Sequence, residues 1–353
     1  MSKKVGIVYS RDVYESVPDP LERLDKRFLG KTIGGLIEDL RYKIERLGTF
    51  ALLVDESKLK EGFESDISVF YMFPLLSYLE GDEQVIHTLR TIDEDGLFFN
   101  SLYSLEASAN KIRTFNTFKR CCIPIPETLV TYDLDEARNF IQKYGTVLSK
   151  PEIGSEAMGV IPLEWDADKG KVFCSQGRGQ ISVTFDDRII NKNPRFSHYV
   201  FQDSIVLRPP IFLQEYIGND HAEPRTILKI YVLEDKVTSG LRIFKVETKT
   251  LEENIISYND LVCGASQELL SPDDISSDVS ELARMAIKAF GLNAGLVDLI
   301  WDYKKGQWVV LEVNNDDFGK VRDRSERIAP LYRDGGTFDW NQKLAEALCD
   351  VKK

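Results

Sequence analysis

The sequence predicts an α/β protein: an N-terminal domain built on a parallel sheet, followed by two α+β segments. Three observations carry this. Short apolar strand signals alternate with a helical period over the first hundred residues, the pattern of strand–helix–strand units. A second strand–helix–strand stretch begins after Pro124 and Pro126. Further on, two long β-patterned runs flank Lys304-Lys305-Gly306 and read as a hairpin.

At 353 residues the chain is long enough for two or three domains. It is 43% hydrophobic and 29% charged, which excludes a largely disordered or fibrous chain. The net charge of −12 makes nucleic acid and anionic membrane surfaces poor bulk partners. No apolar run approaches the ~20 residues a membrane span requires. The apolar run within residues 1–9 is too short for a signal peptide. Five cysteines (Cys121, Cys122, Cys174, Cys263, Cys349) show no C-x-x-C spacing, and the histidines His87, His198 and His221 are scattered. Free thiols in a reducing, cytoplasmic compartment are therefore expected.

The elements follow in order. Residues 4–9 read as a buried strand. After an irregular stretch with Pro18 and Pro20, residues 31–47 carry Ile33, Leu36, Ile37, Leu40 and Ile44 on one helical face, and Gly48 ends it. Residues 50–54 and 67–70 read as further strands. A single helix is predicted over 101–120. Then come a strand at 128–131, a helix at 134–144, a strand at 147–150, a glycine-containing loop and a strand at 160–163. Residues 165–205 are mixed and polar, without a clear period. Strand signals return at 211–217, 227–233 and 236–244, with a helix at 278–290. The hairpin covers 296–303 and 307–314, and a last helix covers 339–348.

Two common nucleotide motifs fail. No G-x-G-x-x-G follows the first strand. Gly30-Lys31-Thr32 resembles the end of a P-loop, but Asp25 stands where that loop needs glycine, so it reads as a helix start. Three other segments are informative. Lys150 closes an apolar strand and precedes a loop bounded by Gly154 and Gly159, an arrangement suited to a phosphate chain, or to a surface lysine before an ordinary loop. Residues 212–217 hold Gln214-Glu215 in an apolar strand, which could offer backbone groups to an adenine edge or be a plain strand with a solvated face. In the hairpin, Glu312 and Asn314 share a face. With Lys304-Lys305-Gly306 as a three-residue loop, Tyr303 opposes Gln307 and Asp298 opposes Glu312, with Ile300 and Val310 on that same side. Directly opposed Cβ atoms lie roughly 5 Å apart. Such carboxylates repel unless a cation lies between them, and oxygen-only donors suit Mg²⁺. A half-exposed hairpin with a polar side is the alternative.

Taken in order, Lys111, Lys150 with its glycine loop, Gln214-Glu215-Tyr216-Ile217, Arg242 and Asp298…Glu312-x-Asn314 resemble the ATP-grasp superfamily. The resemblance covers about residues 100–320 and is greatest to the glutamate-adding and D-alanine–D-alanine-type carboxylate–amine ligases. It implies an N-terminal α/β domain at 1–103, a lid subdomain at 104–215 and a catalytic subdomain at 216–353, the last two clasping ATP. It also implies roles. Lys111 and Lys150 match the phosphate-binding lysines, and Gly154, Ser155 and Gly159 the mobile loop over the phosphates. Gln214, Glu215, Tyr216 and Ile217 match the adenine-holding hinge, and Lys229 joins the nucleotide-binding set. Glu223 is the candidate ribose-binding acid, with Asp220 in reserve. Arg242 matches the arginine near the transferred phosphoryl group. Asp298, Glu312 and Asn314 match the Mg²⁺ ligands, with Mn²⁺ able to substitute.

The implied reaction is ATP-dependent amide formation between a small-molecule carboxylate and an amine through an acyl phosphate. A homodimer is compatible with the resemblance. Departures bear on the substrate: Ala157 stands at a common glycine, and Asn315-Asp316-Asp317-Phe318-Gly319 replaces the usual small-residue-Pro-Gly turn. Ile227-Leu228-Lys229 replaces Asp-x-Arg and looks more like the inositol-polyphosphate-kinase branch. Lys229 thus motivates a kinase alternative, whose polyphosphate would need Arg188, Lys192, Arg195 and Arg208 to converge.

Overall fold

The computed structural model describes residues 3–9, 33–55, 58–59, 66–72, 83–153, 159–176, 179–186, 198–201, 204–218, 226–244, 266–314 and 340–351. The P-loop-like Gly30-Lys31-Thr32 and the prolines before it lie outside this set.

Strands β1 (Lys4–Tyr9), β2 (Phe50–Asp55) and β3 (Val69–Met72) form a parallel sheet in the order β2-β1-β3. Parallel sheets bury both faces, and here helices cover both. Helix α1 (Ile33–Arg46) lies on one side with α7 (Trp340–Asp350): Val5, Ile7, Ile37, Leu40, Leu344 and Leu348 share one core. Helix α2 (Glu83–Glu94), which the sequence reading did not anticipate, packs Val85, Leu89 and Ile92 with Val8 and Phe70 on the other side. Lys3, just before β1, donates to the carbonyl oxygens of Cys349 and Val351 at the end of α7.

Asn100 joins this sheet to the rest of the chain. Its Oδ1 accepts from the amides of Asn293 (2.8 Å) and Ala294 (3.0 Å), and its Nδ2 donates to Ala294 O (2.9 Å). The single helix expected over 101–120 is two: α3 (Leu102–Ala109) and α4 (Lys111–Arg120). Asn110 causes the break. Its backbone is extended and its side chain caps α4 by accepting from Arg113 N at 2.9 Å. Asn110 also bridges to Ile153, and Lys111 N donates to Glu152 O at 2.8 Å. Phe118 then anchors α4 edge-on against Phe290 of α6 (Ser277–Phe290), with ring centres 5.5 Å apart.

The next sheet has eight strands in the order β4-β11-β5-β6-β7-β8-β10-β9. They are β4 (Thr128–Thr131), β5 (Thr146–Ser149), β6 (Ile161–Asp166), β7 (Lys171–Gln176), β8 (Gly179–Phe185), β9 (His198–Phe201), β10 (Ser204–Leu207) and β11 (Ile211–Glu215). Helix α5 (Leu134–Tyr144) covers it through Ala137 and Ile141. The polar stretch 165–205 thus supplies strands. The last sheet is antiparallel, β14-β13-β12-β15-β16, built from β12 (Thr226–Leu233), β13 (Lys236–Phe244), β14 (Ser266–Leu270), β15 (Ala294–Asp302) and β16 (Gln307–Asn314).

Candidate functional site

Alternation along a strand sends neighbouring side chains to opposite faces, and this divides the last sheet in two. Leu228, Ile230, Val297, Leu299, Val310 and Val313 pack against Leu282, Ala286 and Ile287 of α6. Between them on the other face stand Lys229, Asp298 and Glu312, which form one row: Lys229 opposes Asp298 and Asp298 opposes Glu312. Lys229 Nζ lies 3.0 Å from Asp298 Oδ2. Asn314, two residues beyond Glu312, donates its Nδ2 to Glu312 Oε1 at 3.3 Å.

The route to this row differs from expectation. Asp302, not Tyr303, opposes Gln307, so the loop has four residues. Asp302 builds it: its carbonyl accepts from Gly306 N (2.7 Å) and its Oδ1 from the amides of Lys304 (3.0 Å) and Lys305 (3.2 Å). Gly306 takes the positive φ of 62° that closes it. That register alone would place Leu311 opposite Asp298. A bulge between Asp298 and Leu299 absorbs Leu311, and Asp298 meets Glu312 as expected. Val310 consequently packs on the α6 side, whereas Ile300 joins Val309 on the site side, so these two do not share a face. Gly295 permits the tight packing behind the row. A Cβ there would meet Ile287 Cδ1 at 2.5 Å and Asn314 O at 3.1 Å.

Charges from other elements converge on Glu312. Burial works against its ionisation, but the ammonium groups of Lys111, Lys150 and Lys229, with the Asn314 hydrogen bond, hold its carboxyl below the usual range. Burial in turn pushes the Lys111 ammonium down, and the charge of Glu312 opposes this. Lys111 reaches this position because Asn110 breaks the helix ahead of it. Lys150 follows β5 directly, with its amide on Phe212 O (3.1 Å) and its Nζ on Gln214 Oε1 (2.6 Å).

Beside these cations is an apolar floor, where Ile217, Ile300 and Val309 pack with Ile227 and Leu311. The Gln214–Ile217 segment runs along its edge. Gln214 and Glu215 are buried, Glu215 N donates to Glu127 O (2.7 Å) and Tyr216 N to Thr146 O (3.2 Å).

The structure therefore brings together Lys111, Lys150, Gln214, Glu215, Ile217, Lys229, Asp298, Glu312 and Asn314. Gly159 has a positive φ of 71°, while Gly154, Ser155 and Ala157 of the same loop lie outside the described residues, as do Glu223 and Asp220. Arg242 stands in a different row, opposite Leu228 and Glu268, and its side chain also lies outside the described set. Of the cations suggested for a polyphosphate pocket, Arg188, Lys192 and Arg195 lie outside it too, as does the Asn315-to-Gly319 segment. Sequence reasoning missed Lys304 and Asp302, which adjoin the Gln214–Ile217 segment through Glu215 or build the turn beside it. The adjacent lysines two and three residues after Asp302 in the hairpin loop were the available signal.

Among the described residues no three His, Cys, Asp or Glu side chains cluster as a metal cage. The row instead offers two carboxylates and an amide. That donor set suits a hard cation shared with a ligand's own oxygens, as Mg²⁺ is with phosphates, better than a closed protein cage.

No protein-family model matches the chain. It is 24% identical over 175 residues to a tetrahydromethanopterin:alpha-L-glutamate ligase of Methanococcus maripaludis. The match covers 50% of this chain and only 46% of that protein. Among solved structures, the fold is similar to the ATP-grasp ligase PsnB complexed with a minimal precursor, with a TM-score of 0.57, 16% identity and 99% coverage of both chains. The same ligase complexed with minimal precursor, Mg and ADP also superposes at 0.57, over 98% of this chain and 96% of that one. D-alanine–D-alanine ligase from Bacillus anthracis gives 0.52 at 14% identity, over 89% and 87%. No helix among the described residues is long and apolar enough to cross a membrane.

Proposed function

Starting from a chain with the fold of the ATP-grasp ligases, we propose that it is an ATP-dependent carboxylate–amine ligase. The observation that carries this reading is the convergence of Lys111, Lys150 and Lys229 on Glu312, beside Asp298 and an apolar floor. A polyanion with a flat base fits such a site, and phosphoryl transfer needs positioning and charge compensation more than covalent help. The names of the similar proteins support a ligase acting on amino-acid or peptide substrates.

In this reading the chain divides into 1–103, 104–215 and 216–353. Glu215 and Ile217 hold the base through their backbone, over Ile300, Val309 and Leu311. Gln214, Tyr216 and, by resemblance, Glu223 complete the base and ribose contacts. Lys111 and Lys150 neutralise the phosphate chain, under the loop containing Gly154, Ser155 and Gly159. Asp298, Glu312 and Asn314 hold Mg²⁺, or Mn²⁺ in its place, which when bound neutralises phosphate charge. Lys229 pairs with Asp298 and holds it in place. A substrate carboxylate oxygen attacks the γ-phosphorus and expels ADP, giving an acyl phosphate. The resemblance assigns Arg242 the charge on the transferred group, but its register partner is Leu228 of the α6 face, so Arg242 is not part of the row of Lys229, Asp298 and Glu312 and carries no step of this reading. An amine then attacks the acyl carbon, loses a proton and expels phosphate, leaving an amide.

Lys229 is also the residue on which a kinase reading rests. Its ammonium serves the site's own Asp298 at 3.0 Å, and the similar proteins are named as ligases, so that reading is not favoured. The deciding experiment is turnover of ATP and Mg²⁺ with hydroxylamine, against pools of amino acids, dipeptides and polyols. Hydroxamate that requires a carboxylate pool and disappears in Glu312→Ala is the expected result. ADP release with polyols alone, without hydroxamate, overturns the ligase.

A further inference from the structure

The hairpin turn reaches away from the carboxylate row to the corner of the eight-stranded sheet. Lys304 Nζ lies 3.4 Å from Glu215 Oε1. Lys305 Nζ lies 2.9 Å from Glu127 Oε1 and 3.8 Å from Asp302 Oδ2. Glu127 and Glu215 are themselves joined, since Glu215 N donates to Glu127 O. The two lysines therefore grip one corner at two points, from another sheet.

The carboxylates there depend on them. The Glu215 side chain is only 7% exposed and that of Asp302 only 3%. Glu215 Oε2 and Asp302 Oδ2 are buried and accept no hydrogen bond among the described residues. Buried carboxylates are costly unless a cation stands near. For Lys305, burial disfavours the charge, but Glu127, Asp302 and Glu215 together raise its pKa. Removing the ammonium groups leaves carboxylates facing one another, and the cheapest relief is to separate the turn from the corner.

That corner carries the Glu215–Ile217 backbone, while the same hairpin carries Asp298 and Glu312. We propose that Lys304 and Lys305 are positioning residues that latch the base-holding segment to the carboxylate hairpin, setting the span between the two ends of a bound nucleotide. This rests on the nucleotide reading above. The latch touches neither end of the ligand. Its effect is confined to ligands that bridge both ends, because only they require the two sheets in register at once.

The test compares Mg·ADP, which spans both ends, with Mg·tripolyphosphate, which engages only the phosphate end. Both are measured by calorimetry on the full chain, alone and in competition. In Lys304→Met/Lys305→Met, ADP affinity is expected to fall about tenfold. Tripolyphosphate affinity should stay within about twofold, and Lys304→Arg/Lys305→Arg should restore ADP binding. If the methionine variant does not fold, Glu127→Gln, at a half-exposed position, is expected to give a smaller loss of the same selectivity. Equal losses for both ligands, or none for either, overturn the latch. Wild-type protein that binds neither ligand overturns the nucleotide reading and the latch with it.

Discussion

Two clusters of lysines and carboxylates occupy the two ends of the β15–β16 hairpin, and their balance differs. At the open end Lys111, Lys150 and Lys229 surround Asp298 and Glu312. At the turn Lys304 and Lys305 face Glu127, Glu215 and Asp302. The residue types are the same and only four strand positions separate Asp298 from Asp302, about 13 Å. An excess of cations held near buried acids is an unfinished arrangement, completed by an anion. An excess of acids fastened by lysines from another sheet is a finished joint. The ratio of charges, and where the lysines originate, separates a ligand site from a structural one better than the presence of ion pairs does.

The largest expected effect tests the open end. Asp298→Ala and Glu312→Ala should each lower Mg²⁺-dependent ATP turnover about a thousandfold or more, read as kcat in a coupled ADP assay. Removing one cation should be less severe. Lys150→Met is expected to lower kcat/KM about a hundredfold, and an unchanged value would remove the phosphate role from this cluster.

The turn should answer in stability. Asp302→Ala removes the charged acceptor of two turn amides and should cost about 2 kcal/mol in urea unfolding, with a much smaller change in kcat than Lys150→Met. A loss of activity as large as at the open end would erase the distinction between the clusters.

The smallest effect checks that the eight-stranded sheet is rigid enough to be latched. Burial, with Glu164 nearby, pushes the Cys174 thiol up to about 11. Almost no thiolate exists at pH 8, so iodoacetamide should label exposed Cys121 and Cys122 while leaving Cys174 intact by mass spectrometry. Rapid labelling of Cys174 would mean that the sheet opens.

Much of the fold was legible because its signals are local. The N-terminal alternation, the helix at 278–290 and the hairpin all rest on periods of 2 or 3.6 residues. The failures share a cause. Period-2 reading cannot see a bulge, so the three-residue loop was wrong while the Asp298–Glu312 pairing was right: the extra turn residue and the extra strand residue cancel. Asn110 sits inside a helical pattern, and its cap against Arg113 and its bridge to Ile153 emerge only when distant strands are present. Strands β7, β9 and β10 lack apolar alternation, whereas the Ile181-Ser182-Val183-Thr184-Phe185 alternation of β8 was readable and was passed over. At the site, the order of Lys111, Lys150, Lys229 and Glu312 was readable, but their convergence was not, because the four stand at four separate elements.

The grip of Lys3 on the far end of α7 also bears on how the chain is made. The two partners are 346 positions apart, so the strand translated early is sealed by a helix translated late. At about 5–20 residues per second, the flank of β1 that carries Val5 and Ile7 waits roughly twenty to seventy seconds for that cover. Until α7 emerges α1 is the only described helix on that flank, so a nascent chain halted before residue 340 leaves part of the face carrying Val5 and Ile7 uncovered.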